Sequence, residues 1–297
     1  MKPRQALSIA LFAVLVFASA PTCIRKVELD AIPLGICRLG LASLGMAGVL
    51  AIRWSKTSDL LQSWNRRTSK ALLLIGLAFG VHWLLFFLSI KTANAAIGAI
   101  GFSTYGIHLI LLGWLLGRGQ VGPLDVLGLL LACVGTGLLI PEYSFQNDHT
   151  LGLMIGILSG LASALLPLLH QHYADIDGNL RAWGQFTFAM LVFACCLPWA
   201  EWNVRTADIP LILYLGLGIA LVGHGLWVHA TTALSTTTTS ILSYLYLPMS
   251  LVMGFFALGE KLAGRALVGT ALVLVANAVV IFSQSRRGTL KPVEPET

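Results

Sequence analysis

The residues with the most chemical potential in this chain are the few polar and aromatic side chains that interrupt long apolar runs. Arg38 lies within the run 31–52, and no Asp or Glu lies at comparable depth to pair with it. A guanidinium at bilayer depth costs about 2.5 to 3.5 kcal/mol on insertion scales, so it must face protein or a wet cavity. Two roles are open to it: anchoring a substrate carboxylate or phosphate, which suits its forked donors, or bonding helix carbonyls as a structural group. For a proton relay, His82, His108, His224 and His229 are the candidate histidines. Histidine titrates near neutral pH and serves proton relays at membrane depth; each of these four fits equally as a hydrogen-bonded packing residue. Trp83, Phe86, Phe87, Tyr105, Trp227, Tyr244 and Tyr246 cluster in the same runs. His82 and Phe86 are four apart, on one helix face. Such rings either fill a core or wall a cavity that stacks on a flat or apolar solute while hydroxyls orient it.

The elements that must position these residues are legible in the composition. Of 297 residues, 57% are hydrophobic and 11% charged, against about 45 to 50% and 25% in soluble domains, which leaves too little polar surface to cover a globule. The charges fall in clusters separated by runs of about 20 residues, each long enough as a helix to cross a hydrocarbon core of about 30 Å. Ten spans are expected, at 6–22, 31–52, 70–90, 95–116, 122–140, 151–170, 181–199, 209–228, 233–257 and 264–283. The fold class is an all-α polytopic membrane protein in contact with the lipid bilayer, with no room for a soluble domain. With the N-terminus inside, Lys2, Arg4, Arg53, Lys56, Arg66, Arg67, Lys70, Arg118, Arg181, Arg286, Arg287 and Lys291 lie inside. Arg25, Lys26, Lys91, Arg205, Lys261 and Arg265 lie outside, and the excess orients both termini to the cytoplasm. The net charge of +6 is therefore topological rather than a nucleic-acid footprint, since no basic face interleaves with aromatics. Five cysteines, odd in number and without CxxC spacing, imply neither a disulfide framework nor a zinc site. Met1–Arg4 followed by an apolar stretch and Ala18-Ser19-Ala20 also has the form of a secretory signal, but Ala162-Ser163-Ala164 occupies the equivalent place in the sixth run. A small-residue packing surface repeated in both halves accounts for both triplets.

Sliding the chain on itself by 141 residues superposes Tyr105 on Tyr246, Gly113 on Gly254, Gly128 on Gly269 and Ile140 on Ile281. The same offset brings Trp83 onto His224. Two halves of five spans run in opposite directions, the inverted repeat of secondary transporters, whose substrate site lies near the midplane between the halves. The chain resembles the ten-helix, EamA-type branch of the drug/metabolite transporter superfamily over residues 5–284. The resemblance rests on Ala18-Ser19-Ala20-Pro21, Pro33 and Arg38 in the first half. In the second it rests on Ser243-Tyr244-Leu245-Tyr246-Leu247-Pro248, Leu258-Gly259-Glu260-Lys261 and Val268-Gly269. It implies a first repeat at 5–141, a second at 151–284 and a cytoplasmic tail at 285–297. It also implies export or facilitated movement of amino acids, nucleotide-related metabolites, amines or drugs. The first half departs from the pattern, with Gly119 in place of Glu260 and Ile107 in place of Pro248.

Arg38, His82, Trp83, Tyr105, His224 and Tyr246 are thus expected to form the substrate cavity, and Pro248 and Glu260 to act as hinge and gate. A proline inside a helix frees a carbonyl, so Pro248 and Pro167 mark kinks, static or hinged. Glu260 is placed either in a gate contact with the opposite half or at a solvated helix end. Thr236–Ser240 can bond a neighbouring helix or a polar solute, or cap and solvate a loop. His170, His172, Asp175 and Asp177 imitate a metal site, but helical positions two apart diverge, which favours a polar loop. No HExxH, GxSxG, intramembrane carboxylate pair or phosphate-binding glycine loop is present, so neither an enzyme nor a cofactor is expected. The expected function is alternating-access transport of a small molecule, an amino acid or similar amphiphile, exported across a prokaryotic inner membrane. A multidrug or nucleotide-related exporter, and a non-transporting receptor or scaffold, are the alternatives. Proton coupling through the histidines and plain facilitation both remain open.

Overall fold

A computed structural model describes residues 3–54, 64–116, 122–139, 147–234, 242, 245–261 and 264–287. These residues form ten helical spans. Span 1 comprises Pro3–Ala18 and Ala20–Lys26, broken at Ser19 before Pro21. Span 2 is Ala31–Trp54, span 3 Arg66–Thr92, and span 4 joins Ala95–Phe102 to Tyr105–Leu115. Spans 5, 6 and 7 are Pro123–Leu139, Asp148–His172 and Gly178–Cys195. Span 8 is the continuous stretch Thr206–Ala233, span 9 is Tyr246–Leu258 and span 10 is Gly264–Arg287. Six of these stretches are long and apolar enough to cross a membrane as single helices. The ends of spans 1 and 10 share one face with the turn between spans 6 and 7; this is the terminal face. The far face carries the turns 27–30, 93–94 and 259–261.

The packing follows a pseudo-two-fold relation between the halves. Span 3 lies on span 6 as span 8 lies on span 1, span 4 on span 6 as span 9 on span 1, and span 2 on span 8 as span 7 on span 3. Spans 5 and 10, equivalent to one another, pair side by side away from the centre. Backbone contact replaces side-chain packing where spans 4 and 6 meet: a Cβ built on Gly101 would stand 2.9 Å from both the Gly156 Cα and the Leu153 carbonyl. Both small-residue triplets are largely buried, Ala18 and Ala20 in the first and Ser163 and Ala164 in the second.

Three features differ from the expected pattern. Span 8 runs on to Ala233 rather than ending at 228, and in its last turn Thr231 and Thr232 donate their hydroxyls to the carbonyls of Trp227 (2.9 Å) and Val228 (2.7 Å). Within it, Tyr214–His224 is wound as a π-helix of 11 residues, a rare form that hydrophobic periodicity does not reveal. Arg181, counted as a terminal charge, lies inside span 7 and is 2% exposed, so Arg38 (0%) is not alone as a cation buried among the spans. The stretch Thr236–Ser240, together with Gly119, Ser243 and Tyr244, lies outside the described residues.

Candidate functional site

The two halves meet around a central cavity lined from both. Five of the six cavity residues expected from the sequence line it: His82 and Trp83 from span 3, Tyr105 from span 4, His224 from span 8 and Tyr246 from span 9. The repeat-related pairs meet there. Trp83 stands edge-on to His224 with centroids 5.5 Å apart, and Phe102 bridges Tyr105 (5.9 Å) and Tyr246 (5.2 Å). Phe17 stacks on His224 at 4.3 Å, and Phe79 meets the same ring edge-on at 4.8 Å. The wall is therefore mainly aromatic, with a few polar atoms among the rings. That composition suits a solute with a flat or apolar body and few polar groups.

The polar atoms divide into satisfied and unsatisfied sets. His82 is locked: its Nδ1 lies 2.8 Å from the Ser159 hydroxyl, which in turn donates to the His82 carbonyl at 3.0 Å. The Trp83 Nε1, the Tyr105 hydroxyl and the His224 Nε2 are buried without a hydrogen-bond partner. The Tyr246 hydroxyl, beside Ser250, also makes no hydrogen bond of acceptable geometry. A buried orphan donor or acceptor costs about 1 to 3 kcal/mol, so several such atoms around one cavity are a strong reason for a polar ligand to bind.

Arg38 sits behind this wall rather than in it. Its guanidinium carbon is 3.4 Å from the centre of the Trp83 ring, its Nε donates to the Leu215 carbonyl at 3.1 Å, and both terminal nitrogens lack partners. Leu215 belongs to the π-helix, whose wider winding supplies the accepting carbonyl. Trp83 thus separates an uncompensated cation from the cavity.

His170 and Gln185 also line the cavity; the sequence reading puts His170 in a polar loop and does not single out Gln185. Their ring and amide are joined at 2.8 Å, and Arg181 binds His170 from beyond, donating to its carbonyl at 2.7 Å. The i, i+15 separation of His170 and Gln185 across a turn leaves no periodic signal. The metal-like cluster disperses: His170 points into the bundle, Asp177 caps span 7 through the Asn179 and Leu180 amides, and Asp175 bonds Arg67 at 3.1 Å. Among the described residues no three His, Cys, Asp or Glu side chains converge as metal ligands. Of the other histidines, His108 pairs with Thr104 and His229 with Asn179.

Pro248 is the third residue of Tyr246–Leu258 and is exposed, two positions from the cavity tyrosine. Pro167, by contrast, lies inside span 6 and lines the cavity. Glu260 is in contact with the opposite half. Gly259 adopts φ 68°, a left-handed cap that glycine reaches without strain, and turns the chain so that the next carboxylate meets span 4. Its oxygens accept from the Ala95 and Ala96 amides, each at 2.9 Å, while Asn94 accepts from Ile97 at 2.8 Å. Three first-turn amides of that helix are thereby satisfied. Further ties close the far face: Arg205 contacts Glu28 at 2.5 Å and Asp208 at 3.4 Å, and Lys91 donates to the Val27 carbonyl. The bond to Asp208 and the nearby Glu28 carboxylate raise Arg205 above the usual guanidinium value.

Two antiparallel five-span halves around a shared aromatic cavity define a multi-pass membrane protein of the inverted-repeat transporter class. The model of the EamA-like transporter family matches residues 4–140 and 150–282, one match per half, and the chain belongs to that family. It is similar to an uncharacterized transporter of Archaeoglobus fulgidus, 24% identical over 245 residues that cover 75% of this chain and 83% of that protein. It is also similar to an uncharacterized Pseudomonas aeruginosa protein, 26% identical over 292 residues covering 95% and 96%. A solved crystal structure shares the fold with a TM-score of 0.68 at 17% identity, covering 96% of this chain and all of that one. Family membership marks the chain as a membrane transporter of small solutes.

Proposed function

We propose that this protein moves a small amphiphilic metabolite, an amino acid or a close chemical relative, outward across a prokaryotic inner membrane, with both termini in the cytoplasm. The observation that carries this reading is the meeting of repeat-related residues, Trp83 with His224 and Tyr105 with Tyr246 through Phe102, around one cavity between the halves. A site built equally from two halves of opposite orientation is exposed to either side by rocking one half against the other. The unpartnered Tyr105 hydroxyl and Trp83 indole nitrogen supply orientation, and the rings bind the apolar body. Arg38 is the polar anchor: rotation of Trp83 brings a substrate carboxylate against the two free guanidinium nitrogens. Glu260 holds the far face closed in the present state, and Pro167 and Pro248 give spans 6 and 9 places to bend. Movement down the substrate gradient suffices energetically, without a coupled proton.

Counterflow in proteoliposomes preloaded with amino acids, nucleosides or amines, with and without a pH gradient, tests the reading. Accumulation of labelled amino acid, unchanged by the gradient, is the expected result. Acceleration by the gradient would replace facilitation with proton coupling, and silence across the panel from folded protein would remove the transport reading.

A further inference from the structure

A second, open cavity lies on the terminal face and is lined by the turn between spans 6 and 7 and the end of span 8. Arg181 forms its inner wall, and His170, which Arg181 bonds, lines the central cavity on the other side. One hydrogen-bonded layer, Arg181–His170–Gln185, therefore separates the two spaces.

The charges of this outer chamber are arranged by depth. Arg181 is buried and donates only to neutral acceptors: the carbonyls of His170 at 2.7 Å and Ile176 at 3.0 Å, and the Thr232 hydroxyl at 3.2 Å, with His170 Nδ1 at 3.3 Å. Those bonds occupy Nε and one terminal nitrogen; no described carboxylate lies within ion-pair distance, and Asp177 and Asp175 attract the guanidinium only from farther off, so a cation without a direct ion pair stands at the chamber's inner end. The carboxylates of Asp175 and Asp177 lie in the same lining. Both side chains are partly exposed, with partners, Arg67 at 3.1 Å and Arg53 at 4.0 Å, that are themselves more than half exposed. Exposed pairs of this kind hold each other weakly, by about 0 to 1 kcal/mol. The lining thus offers a fixed positive end and a negative rim in which Asp175 is exchangeable and Asp177, whose Oδ1 caps span 7, presents its other oxygen.

We infer that this chamber is a second binding site, for the zwitterionic head of a small solute, with the carboxylate on Arg181 and the ammonium on Asp175 and Asp177. The inference rests on the transporter reading for its place on the path: a solute docked there has only the His170–Gln185 layer to pass before the central cavity. A simple amine or a simple carboxylate satisfies one end and leaves the other unmatched. Loss of either charged contact is expected to weaken binding about tenfold or more.

The test uses the full chain with Ala233→Cys, a lining position that none of the contacts above employs, and follows maleimide labelling at position 233 by peptide mass mapping. Millimolar L-alanine, L-leucine and L-phenylalanine are compared with their amides and their N-acetyl derivatives. The amino acids are expected to protect the position, and neither derivative to do so. Arg181→Gln abolishes the protection, whereas Trp83→Ala, in the central cavity, preserves it. Equal protection by all three chemical forms, protection by none, or loss of protection in Trp83→Ala alone would overturn the proposal. The ligand comparison needs no change at Arg181, so it stands even where that variant folds poorly. Protection without counterflow removes transport and keeps the site; counterflow without protection does the reverse.

Discussion

Replacing Glu260 by alanine removes the one carboxylate that ties span 9 to span 4 across the far face. Its oxygens hold the Ala95 and Ala96 amides at 2.9 Å each, at a helix N-terminus where the backbone dipole favours negative charge. A hydrogen bond to a charged group contributes about 1.5 to 3 kcal/mol, and loss of a helix cap costs about 0.5 to 2 kcal/mol. Glu260 is only partly buried, so water replaces some of what is lost, and a net cost of about 2 to 3 kcal/mol is the consistent figure. If the contact exists only while the far face is closed, the closed state loses that amount relative to the open one. The equilibrium then shifts about 30- to 140-fold toward opening. Glu260→Gln retains one acceptor oxygen and should fall about halfway. The assay is labelling of Ser163→Cys, a cavity position, by a membrane-impermeant maleimide added from the far side of oriented proteoliposomes. Labelling should rise in the order wild type, Glu260→Gln, Glu260→Ala. Equal labelling in all three, with the variants folded, would refute the latch; reduced thermal stability with unchanged labelling would leave Glu260 a structural cap and nothing more.

Arg38→Ala should abolish flux of a zwitterionic or anionic substrate while folded yield is retained, and flux of a neutral analogue should persist; unchanged zwitterion flux removes the anchor. Tyr105→Phe and Tyr246→Phe delete hydroxyls that make no hydrogen bond, so thermal stability should hold or rise slightly while half-saturation for counterflow increases several-fold. A drop of more than about 1 kcal/mol in stability would mean that these hydroxyls have protein partners. Gly101→Ala forces a methyl against the Gly156 backbone, with an overpacking cost of about 1 to 3 kcal/mol. Its melting temperature should fall well below that of Gly113→Ala, where a Cβ meets nothing within 4 Å.

The fold was legible because its cause is crude: apolar runs of bilayer length separated by charge clusters, repeated once with a change of direction. The cavity aromatics were legible for a related reason, since Trp83 and His224, or Tyr105 and Tyr246, occupy equivalent places and a pseudo-two-fold axis brings equivalent places together. What sequence did not disclose depends on geometry finer than periodicity. The π-helix at Tyr214–His224 has no composition of its own beyond glycines, yet its Leu215 carbonyl is the partner that lets Arg38 lie behind Trp83 instead of in the cavity. Arg181 read as one more basic residue near a span end because burial of an arginine three residues into a helix is decided by neighbours such as His170 and Thr232, distant in sequence.

The departures from symmetry are where direction enters. A perfect inverted repeat would present the same latch on both faces and favour neither orientation. Here the far face has Gly259 and Glu260 to turn and cap span 4, while the equivalent place in the first half is Gly119, which has no side chain to offer. The terminal face is joined instead by Arg67 to Asp175 and by Arg53 to Asp177, exposed contacts between the halves of the kind that contribute least. On the proposed alternating cycle, the contacts among the described residues favour closing the far face over closing the terminal face. A solute entering from the terminal face, by way of the chamber at Arg181, meets an available site without first breaking a strong contact. If the halves alternate as proposed, substrate in the cavity has to stabilise the opposite closure by more than Glu260 contributes to the present one, which sets about 2 to 3 kcal/mol as the differential binding that would drive the exchange.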